Sequence, residues 1–270
     1  MHSFSSTSSL EEENNFTDDA FLDGKIHILQ PLKGYRAGID AVLLASTIAH
    51  AHRKTLNILD CGAGVGTVGL CVAVRCPSAV VTLVEKEDLL CELAQQNILR
   101  NGLQNHVTVV KGDLTLKANN KDAPKLKTES FDYVLANPPF HITGQNTKAK
   151  NTLKNISHTM DMDTLDLWIK FAARLTRPGG RYTLIHKAAE LSRLTNLLKG
   201  RFGNLTIRPI HSNIQEKAIR ILIEGQKGSK KELQILPPLI LHKKNKEFTR
   251  GVSRILRDGL SLTQALDPIE

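Results

Sequence analysis

Apolar residues along this chain fall into short runs broken by glycine, proline and acidic residues, the pattern of alternating strands and helices. Thr55-Leu56-Asn57-Ile58-Leu59-Asp60 is an apolar strand ending in an acid, and the helical pattern Val68 to Val74 follows it. Ala79 to Val84, Val107 to Val110 and Phe131 to Ala136 are further strand-like runs. Asp163 to Arg174 has helical spacing with Leu165, Trp168, Ile169 and Ala172 on one face, which assigns Trp168 to the core. Pro178-Gly179-Gly180 reads as a turn into the strand Arg181 to Ile185, and a helix runs from about Ala188 to Lys199. Leu205 to Pro209 and Ala218 to Glu224 form a closing pair of strands. Pro237 to His242 adds a possible short strand, and Phe248 to Leu262 is amphipathic. The order is that of a doubly wound α/β sheet.

Between the first strand and its helix lies Cys61-Gly62-Ala63-Gly64-Val65-Gly66-Thr67. Strand, glycine loop and helix form the opening unit of a Rossmann-like fold, where glycines let a cofactor lie against the backbone and the helix N-terminus. A dinucleotide fingerprint spaces its glycines G-x-G-x-x-G. Here the third glycine, Gly66, comes one residue early. Asp60 beside the turn suits a cationic ligand better than a pyrophosphate, and S-adenosylmethionine, with its sulfonium and amino group, fits. The next strand ends at Glu85, about 20 residues on, as expected of an acid that binds ribose hydroxyls. The third strand leads to Gly112-Asp113. That aspartate is either an acceptor for the adenine amino group or an ordinary turn residue.

The fourth strand stops abruptly at Asn137-Pro138-Pro139-Phe140. Proline cannot donate to a neighbouring strand, so the loop is extended and rigid. It offers one amide side chain, carbonyls with no competing N–H, and an aromatic ring. The Asn137 side-chain oxygen and the Pro138 carbonyl can each accept one hydrogen of an exocyclic amino group, while Phe140 stacks on its ring. The same four residues, taken alone, also read as a strand-ending turn. His186 and His211 read as polar strand ends.

In chain order the elements are acid-G-x-G-x-G, Glu85, Gly112-Asp113 and Asn-Pro-Pro-Phe, each after a strand. This order resembles that of class I S-adenosylmethionine-dependent methyltransferases of the amino-methylating group, over roughly residues 20 to 225. The resemblance implies a seven-stranded, mostly parallel sheet with helices on both faces and an antiparallel closing strand pair. It also implies methyl transfer to an amino nitrogen of adenine, guanine or glutamine. Gln30 to Ala45 further resembles the lead-in of bacterial tRNA adenine-N6-methyltransferases, which makes Arg36, Gly38 and Asp40 candidates for cofactor contacts. Phe140 stands where tyrosine is commoner in those relatives.

Composition adds the substrate. Residues 1–140 hold 13 Lys/Arg against 16 Asp/Glu, a net −3, whereas residues 141–270 hold 23 against 11, a net +12. A basic half beside the Asn-Pro-Pro-Phe loop suits a polyanion, and the resemblance implies that the polyanion is RNA, tRNA first. Three clusters carry the charge: Lys148, Lys150 and Lys154 in a polar loop (141–159), Lys227, Lys230 and Lys231, and His242 to Lys246. No apolar run is long enough to span a membrane. The polar segment 1–19 has no secretory h-region and reads as a disordered tail, with residues 20–270 as one domain. Cys61, Cys71, Cys76 and Cys91 form no C-x-x-C pair and read as buried thiols of a cytoplasmic protein without a metal site. A monomer is expected. The alternatives are methylation of ribosomal RNA guanine or of a protein glutamine, and a non-catalytic RNA-binding module. A NAD-dependent oxidoreductase is disfavoured by the glycine spacing.

Overall fold

The computed structural model describes residues 15–34, 36–49, 55–139 and 162–266, the side chains of residues 162 and 163 excepted. A hairpin opens the fold, β1 (Phe16–Phe21) against β2 (Ile26–Pro31), antiparallel. Helix α1 (Ile39–Ala45) leads to β3 (Leu56–Cys61). Then come α2 (Thr67–Arg75), β4 (Ala79–Glu85), α3 (Asp88–Arg100), β5 (Val107–Lys111) and β6 (Phe131–Ala136). Helix α4 (Met162–Leu175), β7 (Thr176–Lys187), α5 (Leu191–Leu198), β8 (Phe202–His211) and β9 (Ala218–Lys227) follow. The C-terminal appendage holds the two-residue strands β10 (Gln234–Ile235) and β11 (Leu239–Ile240), helix α6 (Arg250–Ser253), a π-helical turn Arg254–Asp258 and α7 (Leu262–Leu266).

The main sheet has the order β10-β8-β9-β7-β6-β3-β4-β5. Strands β3 to β7 are mutually parallel, and β9 runs antiparallel between β7 and β8. The seven expected strands are all present; β10 and β11, both parallel to β8 at its outer edge, bring the described sheet to nine. The central strands are buried on both faces, which is why they read as continuous apolar runs rather than as an alternation. Helices α1 to α3 cover one face, packing Leu43, Leu70 and Ile98 on Ile58, Val81 and Leu83. Helices α4 and α5 cover the other, with Ile169 and Leu194 among Leu59, Val134 and Leu184.

Two expectations change. Phe16 to Asp19 were assigned to a disordered tail but lie in β1, fully paired with β2, and Phe16 and Phe21 pack on the core. Strand propensity in so polar a stretch is weak, and what holds it is long-range pairing. Pro178-Gly179-Gly180 is an irregularity inside β7 rather than a turn before it. Thr176 pairs with Phe131 and Arg181 with Tyr133, so five residues of β7 advance against two of β6.

Asparagine side chains secure the hairpin. Asn97 Oδ1 accepts the Leu29 N–H at 2.7 Å, and its Nδ2 donates to the Leu29 carbonyl at 3.1 Å. One turn later, Asn101 makes the same pair of bonds to His27 at 2.9 and 2.7 Å. Residues i and i+4 of a helix thereby match residues i and i+2 of a strand, so α3 supplies β2 with the ladder that a third strand would have offered. Asn97 is fully buried, and its Nδ2 also donates to the Val65 carbonyl at 3.1 Å. Asn97→Ala strands three buried backbone groups and should lower unfolding free energy by about 2–4 kcal/mol in urea melts, with Asn101→Ala costing roughly 1 kcal/mol because water replaces it.

Candidate active site

Strand order reverses beside β3: β4 and β5 lie on one side, β6 and β7 on the other. In open α/β sheets, the crevice beyond the carboxyl ends at that point is the ligand site. Cys61 pairs with Ala136, the last residues of β3 and β6. Gly62 and Asn137 are therefore the next residues along neighbouring strands, about 4.8 Å apart in strand spacing. The glycine loop and the proline loop are thus adjacent.

The glycine loop is tied down from three sides. Ala63 N–H donates to the Val84 carbonyl at 2.9 Å, Gly64 N–H to Glu85 Oε2 at 2.8 Å, and Val65 is held by Asn97. Gly62, Gly64 and Gly66 all have φ between +57° and +89°. At Gly62 a close approach adds to the conformation: a Cβ there would stand 2.2 Å from the Trp168 ring. Gly64, by contrast, faces open space. Thr67 opens α2 with its hydroxyl buried and without a protein partner among the described residues.

Three acids stand at the carboxyl ends of β3, β4 and β5. Asp60 is buried, with Oδ2 accepting the Gly69 N–H at 3.0 Å. Burial pushes its pKa up to about 7, the Gly69 bond opposes that, and the nearby Glu85 adds to it. Glu85 ends β4 and accepts from Gly64 through Oε2 and from the Lys86 and Glu87 N–H groups through Oε1, at 2.8 and 3.0 Å. Asp113 Oδ1 accepts the Thr115 N–H at 2.8 Å and its hydroxyl at 2.6 Å, closing an Asx turn. The turn reading is therefore met by one oxygen.

Pro138 is buried and Asn137 and Pro139 are half-buried. Phe140 lies outside the described residues, as does the segment with Lys148, Lys150 and Lys154. His186, near the end of β7, is buried, and burial drives its pKa down to about 4, so it is neutral at pH 7. His211 ends β8 as expected, its Nδ1 2.6 Å from the Glu216 carbonyl. Arg36 pairs with Asp19 of β1 at 2.6 Å, and Asp40 with Arg220 of β9 at 3.0 Å. Gly38 caps α1 with open space around it. Two residues here escaped sequence reasoning. Gln30 is buried and exchanges two hydrogen bonds with Ala37, at 2.8 and 3.3 Å, which fixes the approach to α1. Trp168 covers Gly62 besides packing on the core; its helical spacing pointed only to the latter.

Residues 37–209 match the family model for the methyltransferase small domain. The chain belongs to the methyltransferase small domain family. Its cofactor is accordingly S-adenosylmethionine. The chain is 26% identical over 151 residues to a tRNA1(Val) (adenine(37)-N6)-methyltransferase of Glaesserella parasuis serovar 5, covering 56% of this chain and 58% of that one. It is 27% identical over 150 residues to the protein of the same name from Bacteroides fragilis, covering 56% and 59%. The match spans about three fifths of the length of these curated relatives. Among solved structures, a predicted O-methyltransferase from Agrobacterium tumefaciens superposes with TM-score 0.67 at 30% identity, covering 80% of this chain and 94% of that one. No helix among the described residues is long and apolar enough to cross a membrane.

The residues present fit the cofactor. A buried carboxylate with a raised pKa favours a cationic neighbour, an open glycine cradle admits a ligand, and the lone Thr67 hydroxyl awaits a partner.

Two measurements probe this geometry. Gly62→Ala meets both the Trp168 ring and a φ of +65°, so it should lower Tm and weaken S-adenosylmethionine binding at least about tenfold by calorimetry. The folded-state pKa of Asp60 exceeds its ordinary value of 3.8, so the stability it contributes is present at low pH and lost as pH rises towards about 7. The Tm of the cofactor-free protein should therefore fall, relative to that of Asp60→Asn, by roughly 5 °C between pH 5 and 8.

Proposed function

We propose that this protein transfers a methyl group from S-adenosylmethionine to the exocyclic N6 of an adenosine in tRNA. The observation that carries the reading is the neighbouring placement of Gly62 and Asn137 at the switch point of the sheet, through the Cys61–Ala136 pair. A donor held at one loop and an amino group held at the other would lie within reaction distance.

S-adenosylmethionine supplies a methyl on a sulfonium, an electrophile with a neutral thioether as leaving group. Asp60 favours the cation, Gly62, Gly64 and Gly66 cradle it, Glu85 takes the ribose hydroxyls, and Asp113 Oδ2 accepts from the adenine amino group. Arg36, held by Asp19, and Asp40, held by Arg220, would contact the cofactor together with Gly38 at the entry to α1. An aromatic amine is a poor nucleophile because its lone pair is delocalised. Asn137 Oδ1 and the Pro138 carbonyl accept its two hydrogens, favour a tetrahedral nitrogen and direct the lone pair at the methyl. Pro139 adds no competing donor, and Phe140 stacks on the base. No strong base is required, since the alkylated nitrogen is acidic and sheds its proton to water. Neutral His186 does not repel the cationic nitrogen that forms.

The names of the Glaesserella and Bacteroides relatives support adenine in tRNA. The Agrobacterium structure's description points instead to an oxygen acceptor. Two acceptors at Asn137-Pro138 suit a group with two hydrogens rather than a hydroxyl with one, which favours nitrogen. RNA loops present unstacked bases, so a tRNA loop is an easier target than a duplex.

The test is transfer of labelled methyl to bulk tRNA, ribosomal RNA and protein, with nucleoside analysis. N6-methyladenosine in tRNA is expected; label in guanosine, in a ribose or in protein overturns the substrate assignment. Asn137→Ala should lose at least about a hundredfold in kcat while its cofactor Kd changes less than about threefold. Affinity for S-adenosylmethionine should decline as pH falls below about 7 and Asp60 takes up its proton.

A further inference from the structure

Strand polarity sorts the basic clusters of the C-terminal half. Strand β9 runs antiparallel, so Lys227 at its end, with Lys230 and Lys231, lies at the amino end of the parallel strands, away from the site. Lys227 is moreover engaged there, donating to Glu129 at 2.9 Å and to the Thr176 carbonyl at 2.8 Å. Strand β11 runs parallel to β8 and leaves it at the carboxyl end, where His242 N–H donates to the Ser212 carbonyl at 2.9 Å. The His242 to Lys246 cluster therefore stands on the same end of the sheet as Asn137. Four strand spacings separate β6 from β11, which lies on the outer side of β8, roughly 19 Å at about 4.8 Å each.

From that end the appendage forms a recess of about 610 Å³, beyond the family-matched residues 37–209, which follows α6 from Thr249 beside β11 towards Gly259, where the segment meets Arg75 at the end of α2. Lys243, Lys246, Arg250, Arg254 and Arg257 line it against a single acid, Glu247. Glu247 is paired with Lys243 at 3.4 Å. Arg250, Arg254 and Arg257 recur at i, i+4 and i+7, so one face of the α6 and π-helical segment carries all three. The loop that presents the lysines is itself held. The His242 and Phe248 rings stack with centroids 4.9 Å apart, and Lys243 N–H donates to the Glu247 carbonyl at 2.8 Å. Lys246, Arg250 and Arg257 form no ion pair among the described residues. A preformed concave surface with this much uncompensated charge is built for a polyanion.

We infer that this recess binds the phosphate backbone of the substrate RNA, a few nucleotides from the base held at Asn137. The inference rests on the RNA reading above and names the surface that reading lacks. Backbone contacts at this distance set the register of the RNA without reading its sequence, while the reaction stays with the glycine and proline loops. A concave recess, rather than a flat face edged with exposed apolar side chains, favours a nucleic-acid strand over a lipid surface.

The test compares the full chain with Lys243→Gln/Lys246→Gln/Arg250→Gln/Arg257→Gln, four exposed positions. Lys230→Gln/Lys231→Gln is the control at the opposite end, and Arg250→Gln/Arg257→Gln is the milder variant should the fourfold change disturb folding. The affinity for bulk tRNA is measured by fluorescence anisotropy against salt, independently of methyl transfer. The fourfold variant should bind at least about tenfold more weakly, with a log K against log salt slope shallower by about 2 to 3. Its KM for tRNA should rise while kcat at saturating RNA and the cofactor Kd hold, and the control should match wild type. Wild-type affinity and slope in the fourfold variant overturn the inference, as does loss of binding to anionic phospholipid vesicles with tRNA binding intact. If the wild type binds tRNA through these residues but methylates none of it, the reaction assignment fails and the recess stands. If the wild type does not bind tRNA at all, both fall.

Discussion

The carboxamide of Asn97 is the joint on which the cofactor side of the molecule depends. It replaces a missing strand for β2 and in the same geometry holds Val65 in the glycine loop. Its oxygen accepts one N–H and its Nδ2 donates to two carbonyls, so the side chain has little freedom to choose another arrangement. The hairpin thereby becomes part of the site although none of its residues need touch a ligand. Gln30 follows from β2 and clamps Ala37, which sets the entry to α1. An amide on one helix so couples a polar N-terminal segment, a turn with positive φ, and the helix that precedes β3.

Much of this was legible in the chain, for identifiable reasons. The central strands are apolar on both faces, and such runs are readable without context. Gly62, Gly64 and Gly66 announce their loop because few residue types tolerate those backbone angles, and Asn137-Pro138-Pro139 announces its own because proline ends a ladder. What was not legible is long-range. The pairing of Phe16 to Asp19 with β2 depends on α3, some 80 residues away in the chain. Trp168 gave a correct helical face and no sign that its ring reaches Gly62. Asp113 reads locally as a turn residue, and its Oδ1 closes that turn with Thr115. The ion pairs of Arg36 and Asp40 join segments that no local pattern connects.

Charge is distributed by function and by the direction of strands. Asp60, Glu85 and Asp113 stand at the carboxyl ends of three parallel strands, where we propose that the cationic donor binds. The basic excess lies in the other half, but sequence alone groups its clusters together, and only topology separates them. A lysine on β9 and a lysine after β11 look alike in composition. One antiparallel strand sends the first to the far end and leaves the second beside the site.

The appendage that carries the basic recess is fastened to the body by Arg75, at the last turn of α2. Its guanidinium donates to the carbonyls of Gly259 at 2.6 Å, Ala45 at 2.5 Å and Ile48 at 3.2 Å, and Leu262 N–H adds a bond to the Ser46 carbonyl at 2.7 Å. Three segments meet at a planar fork whose donors point in fixed directions, a geometry that a lysine ammonium cannot reproduce. The end of α1 and the start of α7 therefore share one fastening, and opening of either segment breaks bonds that hold the other.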